Sequence, residues 1–100
     1  MKKQERLERD SLGSRKIPEE AYYGIHTLRA SENFPISRVQ LSRFPTVVSA
    51  FAAVKEAAAL ANRELRAIDD AVAGAIVAAC REIREGALRE HFVVDMMQGG

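Results

Sequence analysis

"FPTVVSAFAAVKEAAALANRELR", Phe44 to Arg66, is the stretch on which the reading of this chain turns. Apolar residues recur in it at Val47, Phe51, Val54, Ala58, Ala61 and Leu65, in alternating steps of four and three. That period marks one face of an α-helix, and it predicts an amphipathic helix of about six turns. Ser42 is placed to cap its N-terminus, and Pro45 falls in the first turn, where a missing N–H is tolerated. Seven alanines between Ala50 and Ala61 favour helix and leave room for a neighbouring backbone to come close.

Downstream, a second helix is expected from Asp69 or Asp70, since both carboxylates suit a helix N-terminus and either can cap it. Val72, Ile76, Ala79 and Ile83 form its stripe, and Gly86 suits the position just past its end. The short link at Ala67 and Ile68 makes the pair an αα-hairpin. "ALREHF" adds a further helical turn, and "FVVDMM" makes an extended or loop approach to Gly99 and Gly100. The segment from Ala71 to Cys80 is apolar almost all round, so the hairpin asks for further partners.

Upstream the pattern changes near Leu41. Residues 1–41 read as an irregular segment with a short hairpin and short helices, and residues 42–100 as the helical part. In "RLERDSLGSRKI", Gly13 is free to take positive φ, and a short hairpin or extended turn fits. Pro18 biases Ile17 toward extended backbone. "EEAYYG" begins as a short helix that Gly24 interrupts, and a second short helix runs from about Thr27 to Asn33 before Pro35. "ISRVQLS" is a brief helical or extended stretch. The fold class is mainly α, with a short β-hairpin or extended start followed by an αα-hairpin.

One hundred residues make one small domain or part of a larger one. With 29% charged residues and 47% hydrophobic ones, the composition is that of a soluble globular chain. A net charge of +1, with both signs interleaved, offers neither a nucleic-acid surface nor an acidic-membrane binder. "MKKQERLERD" lacks the apolar core of a secretory signal, and the ten residues from Ala71 to Cys80 are too few to span a bilayer. The cytoplasm is the expected compartment. One cysteine, Cys80, rules out an internal disulfide and reads as a buried thiol.

Chemistry-bearing motifs are sparse. Walker loop, GxGxxG and HExxH are all missing, and His26 and His91 lie too far apart for ordinary ligand spacing, so no metal site is expected. His26 reads as a structural hydrogen-bond donor and His91 as a helix-end residue. The Asp69–Asp70 pair reads as a cap, and the charged residues from Arg81 to Arg89 as a solvated helix face with i,i+4 pairs. Arg29, in "YYGIHTLRASENF", has two readings. Its fork either holds a substrate carboxylate or makes a structural salt bridge with Glu32 or another segment.

"ERDSLGSRKIPEEAYYGIHTLRASENFPIS" resembles the N-terminal signature of the aspartate ammonia-lyases (aspartases) of the aspartase/fumarase superfamily. The resemblance continues through "AAALANREL", "AIVAACREI" and "FVVDMMQGG", covering about Arg6 to Gly100. His26 and Leu28 favour aspartases, because class II fumarases usually carry Gln at both positions. In aspartases "QGG" leads on to Ala-Gly-Thr-Ser, whose threonine and serine region contacts substrate. The resemblance therefore implies that the chain is the N-terminal part of domain 1 in the aspartase/fumarase fold, truncated before the first active-site segment. The parent would be a homotetramer that interconverts L-aspartate with fumarate and ammonia without an organic cofactor. Its base would be a serine in a mobile loop beyond this chain, so no catalytic residue is expected here and the piece alone is expected to be inactive. Arg29 matches a position linked to the substrate carboxylate, and Gln98, Gly99 and Gly100 lie beside the active site.

Overall fold

The structure, a computed structural model, describes residues 4–97. They divide into two units: residues 4–43 with 90–97, and residues 44–89.

The first unit opens with an antiparallel hairpin of β1 (Glu5–Asp10) and β2 (Gly13–Pro18), in register from Glu5 opposite Pro18 to Asp10 opposite Gly13. Ser11 and Leu12 form the loop. The Leu12 N–H donates to Asp10 Oδ1, and Gly13 takes φ +117°, a value residues with a β-carbon rarely adopt. The hairpin expected around Gly13 is therefore present. Its alternation carries charge inward: Arg6, Glu8 and Asp10 are half-buried, while Glu5, Leu7 and Arg9 face out. On β2 the inward row ends in Ile17, which is fully buried with Ala21 and Ile25, and Tyr23 and Leu28 pack on that cluster.

Helix α1 (Ile25–Asn33) follows. The short helix expected from Glu19 to Tyr23 is replaced by a turn and a bend. The Arg6 guanidinium explains this. Its Nη1 donates to the carbonyls of Pro18, Glu19 and Ala21, and its Nη2 to that of Tyr23, at 2.8–3.0 Å. Carbonyls drawn to one point cannot also run along a helix axis. Past α1, the chain makes a short 3₁₀ turn at Leu41–Arg43. Residues 92–96 return antiparallel to residues 39–42. The Leu41 N–H donates to Val94 O, the Ser42 N–H to Phe92 O, and the Met96 N–H to Val39 O.

The second unit is the αα-hairpin, α2 (Pro45–Glu64) and α3 (Asp70–Arg84). Pro45 takes the first helical position as expected, but Phe44, not Ser42, holds the capping position. The Ser42 hydroxyl turns instead to Gln40 Oε1 at 3.2 Å. Asp69 stands at the N-cap of α3, where its carbonyl accepts the Ala73 N–H while its side chain makes no capping bond. Both helices end in the same motif. At α2, the Arg66 N–H reaches Arg63 O and the Ala67 N–H reaches Asn62 O; at α3, Gly86 reaches Ile83 O and Ala87 reaches Glu82 O. These paired bonds define the Schellman motif, with its left-handed residue at Arg66 (φ +58°) in one helix and Gly86 (φ +101°) in the other.

The buried faces sit one position away from the predicted stripes. In α2 they are Val48, Ala52, Glu56 and Ala59; in α3, Ala73, Val77 and Cys80. Val47, Phe51 and Val54 are 40%, 47% and 67% exposed, and Val72 and Ile76 are exposed in part. Both helices have two apolar faces, a bulky one and a small one. Close helix–helix approach selects the small residues, because backbones meet where side chains are short. Within the small-residue seam, buried Glu56 accepts from Arg84 Nη1 at 2.9 Å and Arg81 Nε at 3.4 Å. These arginines therefore pair across the hairpin, where i,i+4 pairs along one helix were expected. Arg84 first, then Arg81, hold the Glu56 carboxyl below its ordinary range.

Candidate functional site

Arg29 projects from the middle of α1, and its place is set by the hairpin. Its Nε donates to Asp10 Oδ2 at 2.8 Å and its Nη2 to Gly13 O at 3.2 Å. Asp10 is the more buried partner, at 8% side-chain exposure. The Arg29 hydrogen bond, followed by the Leu12 N–H, draws the Asp10 carboxyl below its usual value against the opposing effect of burial. The salt-bridge partner is thus Asp10. Glu32 is held instead by a two-pronged contact from Arg15. The Nε edge of the Arg29 fork is committed to the hairpin.

Helix α1 is anchored by its neighbour strand as well. No side chain of its own caps it, and Gly24 occupies the capping position. Glu8 supplies the missing acceptor from β1, taking the Ile25 N–H on Oε1 at 2.9 Å while Oε2 receives Arg6 Nε at 2.7 Å. Arg6 and then the Ile25 N–H keep the Glu8 carboxyl below its ordinary value. A β-carbon on Gly24 would stand 3.0 Å from Glu8 Oε1, so the glycine leaves room for this borrowed cap. Leu28 packs on the first unit's core, while His26 is exposed at the start of α1. No hydrogen bond from His26 appears among the described residues. His91 accepts the Tyr22 N–H on Nδ1 at 3.2 Å and places its ring 4.8 Å from that of Tyr22, so the neutral tautomer carries its proton on Nε2.

Gln98, Gly99 and Gly100 lie outside the described residues; the segment before them is held by backbone hydrogen bonds to residues 39–42. Asp95 interrupts its apolar run and binds it to the turn at Ser37 and Arg38. The Met97 N–H, then the Ser37 hydroxyl and the Arg38 and Ser37 N–H groups, lower the Asp95 carboxyl from its ordinary value. Beside it lies an open cavity of about 310 Å³, lined by Tyr23, Ser31, Arg38, Gln40, Val93 and Asp95 among others. Two organising residues, Arg6 and Asp95, escaped the reading of the sequence. A lone carboxylate in "FVVDMM" was the available signal for Asp95, since a charged group in an apolar run must find donors. For Arg6 the signal was charge at every second position of "RLERD". Among the described residues, no group of three or more His, Cys, Asp or Glu side chains is placed to hold a metal ion. No helix there is long and apolar enough to cross a membrane.

A hairpin that pins a short helix, followed by an αα-hairpin, is an arrangement with known relatives. Residues 13–100 match the model of the family described as lyase, and the chain belongs to that family. It is 51% identical over 96 residues to aspartate ammonia-lyase of Escherichia coli strain K12, covering 95% of this chain and 20% of that protein. Aspartate ammonia-lyases of Pseudomonas aeruginosa and Helicobacter pylori are 50% and 48% identical over 95 residues. Among solved structures, a cobalt-bound fumarate lyase:delta crystallin from Brucella melitensis matches with a TM-score of 0.87 and 55% identity, covering 97% of this chain and 21% of that one. A class II fumarase from Schistosoma mansoni matches with a TM-score of 0.77 and 37% identity, over 91% of this chain and 19% of that one. The fold is that of the aspartase/fumarase superfamily, and the chain spans about a fifth of the length of these relatives.

Proposed function

We propose that this chain is the opening part of domain 1 of an aspartate ammonia-lyase, a homotetrameric cytoplasmic enzyme that interconverts L-aspartate with fumarate and ammonia. The 51% identity to the Escherichia coli enzyme across 95% of the chain carries this reading. In it, a serine beyond residue 100 removes the Cβ proton, and cations and hydrogen-bond donors stabilise the dianionic aci-carboxylate that forms. This chain contributes the approach to the site through Gln98, Gly99 and Gly100. It also contributes Arg29, whose Nε and Nη2 are held by Asp10 and Gly13 and whose Nη1 meets a substrate carboxylate. The reaction class is tested by following fumarate absorbance with the complete lyase chain, offered L-aspartate and L-malate separately. Fumarate from aspartate is the expected result. The likeness to a class II fumarase at 37% identity favours one rival, in which malate alone yields fumarate. Fumarate made by the purified 100-residue chain would overturn the placement of the base outside it.

A further inference from the structure

Asp95 stands three positions before Gln98, and its carboxylate is where two remote segments meet. Oδ1 accepts from the Ser37 hydroxyl at 2.8 Å and from the Met97 N–H at 2.9 Å. Oδ2 accepts from the N–H groups of Ser37 at 2.9 Å and Arg38 at 2.8 Å. Arg38 adopts φ +62° in the left-handed region, in the turn where these two successive N–H groups converge on one oxygen. The backbone pairing of residues 39–42 with 92–96 fixes the direction of the chain, and Asp95 ties down Met97.

We infer that Asp95 is a positioning residue for the lyase reaction: by clamping Met97 to the turn at Ser37 and Arg38, it anchors the backbone on which the proposed active-site segment depends. This rests on the proposed role of that segment. The carboxylate is chemically required. All four contacts are donors, and an amide would offer one acceptor oxygen while turning an NH₂ group toward the others. Asp95→Asn therefore keeps the shape and reverses the polarity of half the clamp.

The test measures kcat and KM on the complete lyase, together with hydrogen exchange at the Met97 amide. Asp95→Asn is expected to speed that exchange and to lower kcat/KM for L-aspartate by about tenfold to a hundredfold, the range seen when a reacting group is misplaced by about 1 Å. Ser37→Ala, which removes one of the four donors, is expected to lower it about twofold to fivefold. Gly86→Ala, in the other unit, serves as a control that lowers Tm while leaving kcat/KM of the folded enzyme unchanged. Faster exchange at Met97 with unaltered kcat/KM in Asp95→Asn would reduce the clamp to a structural tie and overturn the inference. If Asp95→Asn does not fold, unaltered kcat/KM in Ser37→Ala has the same force. Should the wild-type enzyme turn over malate but not aspartate, the same ratios are read on malate; the aspartate reading then fails and the clamp is still judged.

Discussion

In the first unit one arginine gathers four carbonyl oxygens from residues 18, 19, 21 and 23; in the second, two helices meet along a row of alanines, valines, one cysteine and one buried glutamate. The first is ordered by a few side chains that each satisfy several backbone groups. The second is ordered mainly by many small contacts and by hydrogen bonds within its own helices, with Glu56 paired across the hairpin to Arg81 and Arg84. Damage should therefore concentrate on single residues in one region and spread thinly in the other.

Arg6→Met gives the sharpest contrast. It keeps much of the side-chain length but strips four carbonyls and the Glu8 carboxylate of their donor, and it should cost about 3 kcal/mol. Native-state hydrogen exchange on the complete lyase would register this as faster exchange in residues 4–43, with α2 and α3 scarcely affected. Equal acceleration in both regions would break the comparison.

Acid should separate the regions next. Glu8, Asp10, Glu32 and Asp95 in the first unit, and Glu56 alone in the second, have carboxyl groups held below their ordinary values of 4.5 for Glu and 3.8 for Asp. A carboxyl lowered by folding stabilises the native state fully above its unfolded value, and that contribution is lost as pH falls through the lower folded value. Lowering the pH below about 4.5 should thus loosen the first unit before the second. Exchange rates measured across that window would show it, and simultaneous loosening would contradict it.

The helix ends sharpen the comparison within the second unit. Gly86→Ala forces a β-carbon into φ +101° and should destabilise by about 1 kcal/mol. Arg66→Gly relieves the same strain at the end of α2 and should stabilise by about 0.5 kcal/mol, once the extra freedom of glycine in the unfolded chain is deducted. Thermal unfolding of the two variants should move in opposite directions.

How far the sequence spoke for itself follows the same divide. The hairpin around Gly13, the αα-hairpin and the stop at Gly86 were legible, because each depends on residues adjacent in sequence. The helix faces were misjudged by one position because bulky Val47 and Phe51 outweigh Val48 and Ala52 in any hydrophobic pattern, whereas packing prefers the small residues. The turn from Glu19 to Tyr23 was hidden because its cause, Arg6, lies a dozen or more residues away. At the candidate site, Arg29 stood out through its surroundings, but its attachment to Asp10 depends on the β-hairpin bringing the two together. Asp95 was passed over because its donors at Ser37 and Arg38 lie 58 and 57 positions earlier.

That separation has a consequence for the order of assembly. The contacts of the second unit join helices that are neighbours in sequence, the kind of contact that forms early. The strand from Phe92 to Met96 must wait, because pairing it with Val39 to Ser42 closes a loop that contains the whole αα-hairpin. Loop-closure entropy grows only slowly with length, so the cost is less in energy than in timing. The approach to the proposed active site is thus expected to close late, after the contacts that are local in sequence.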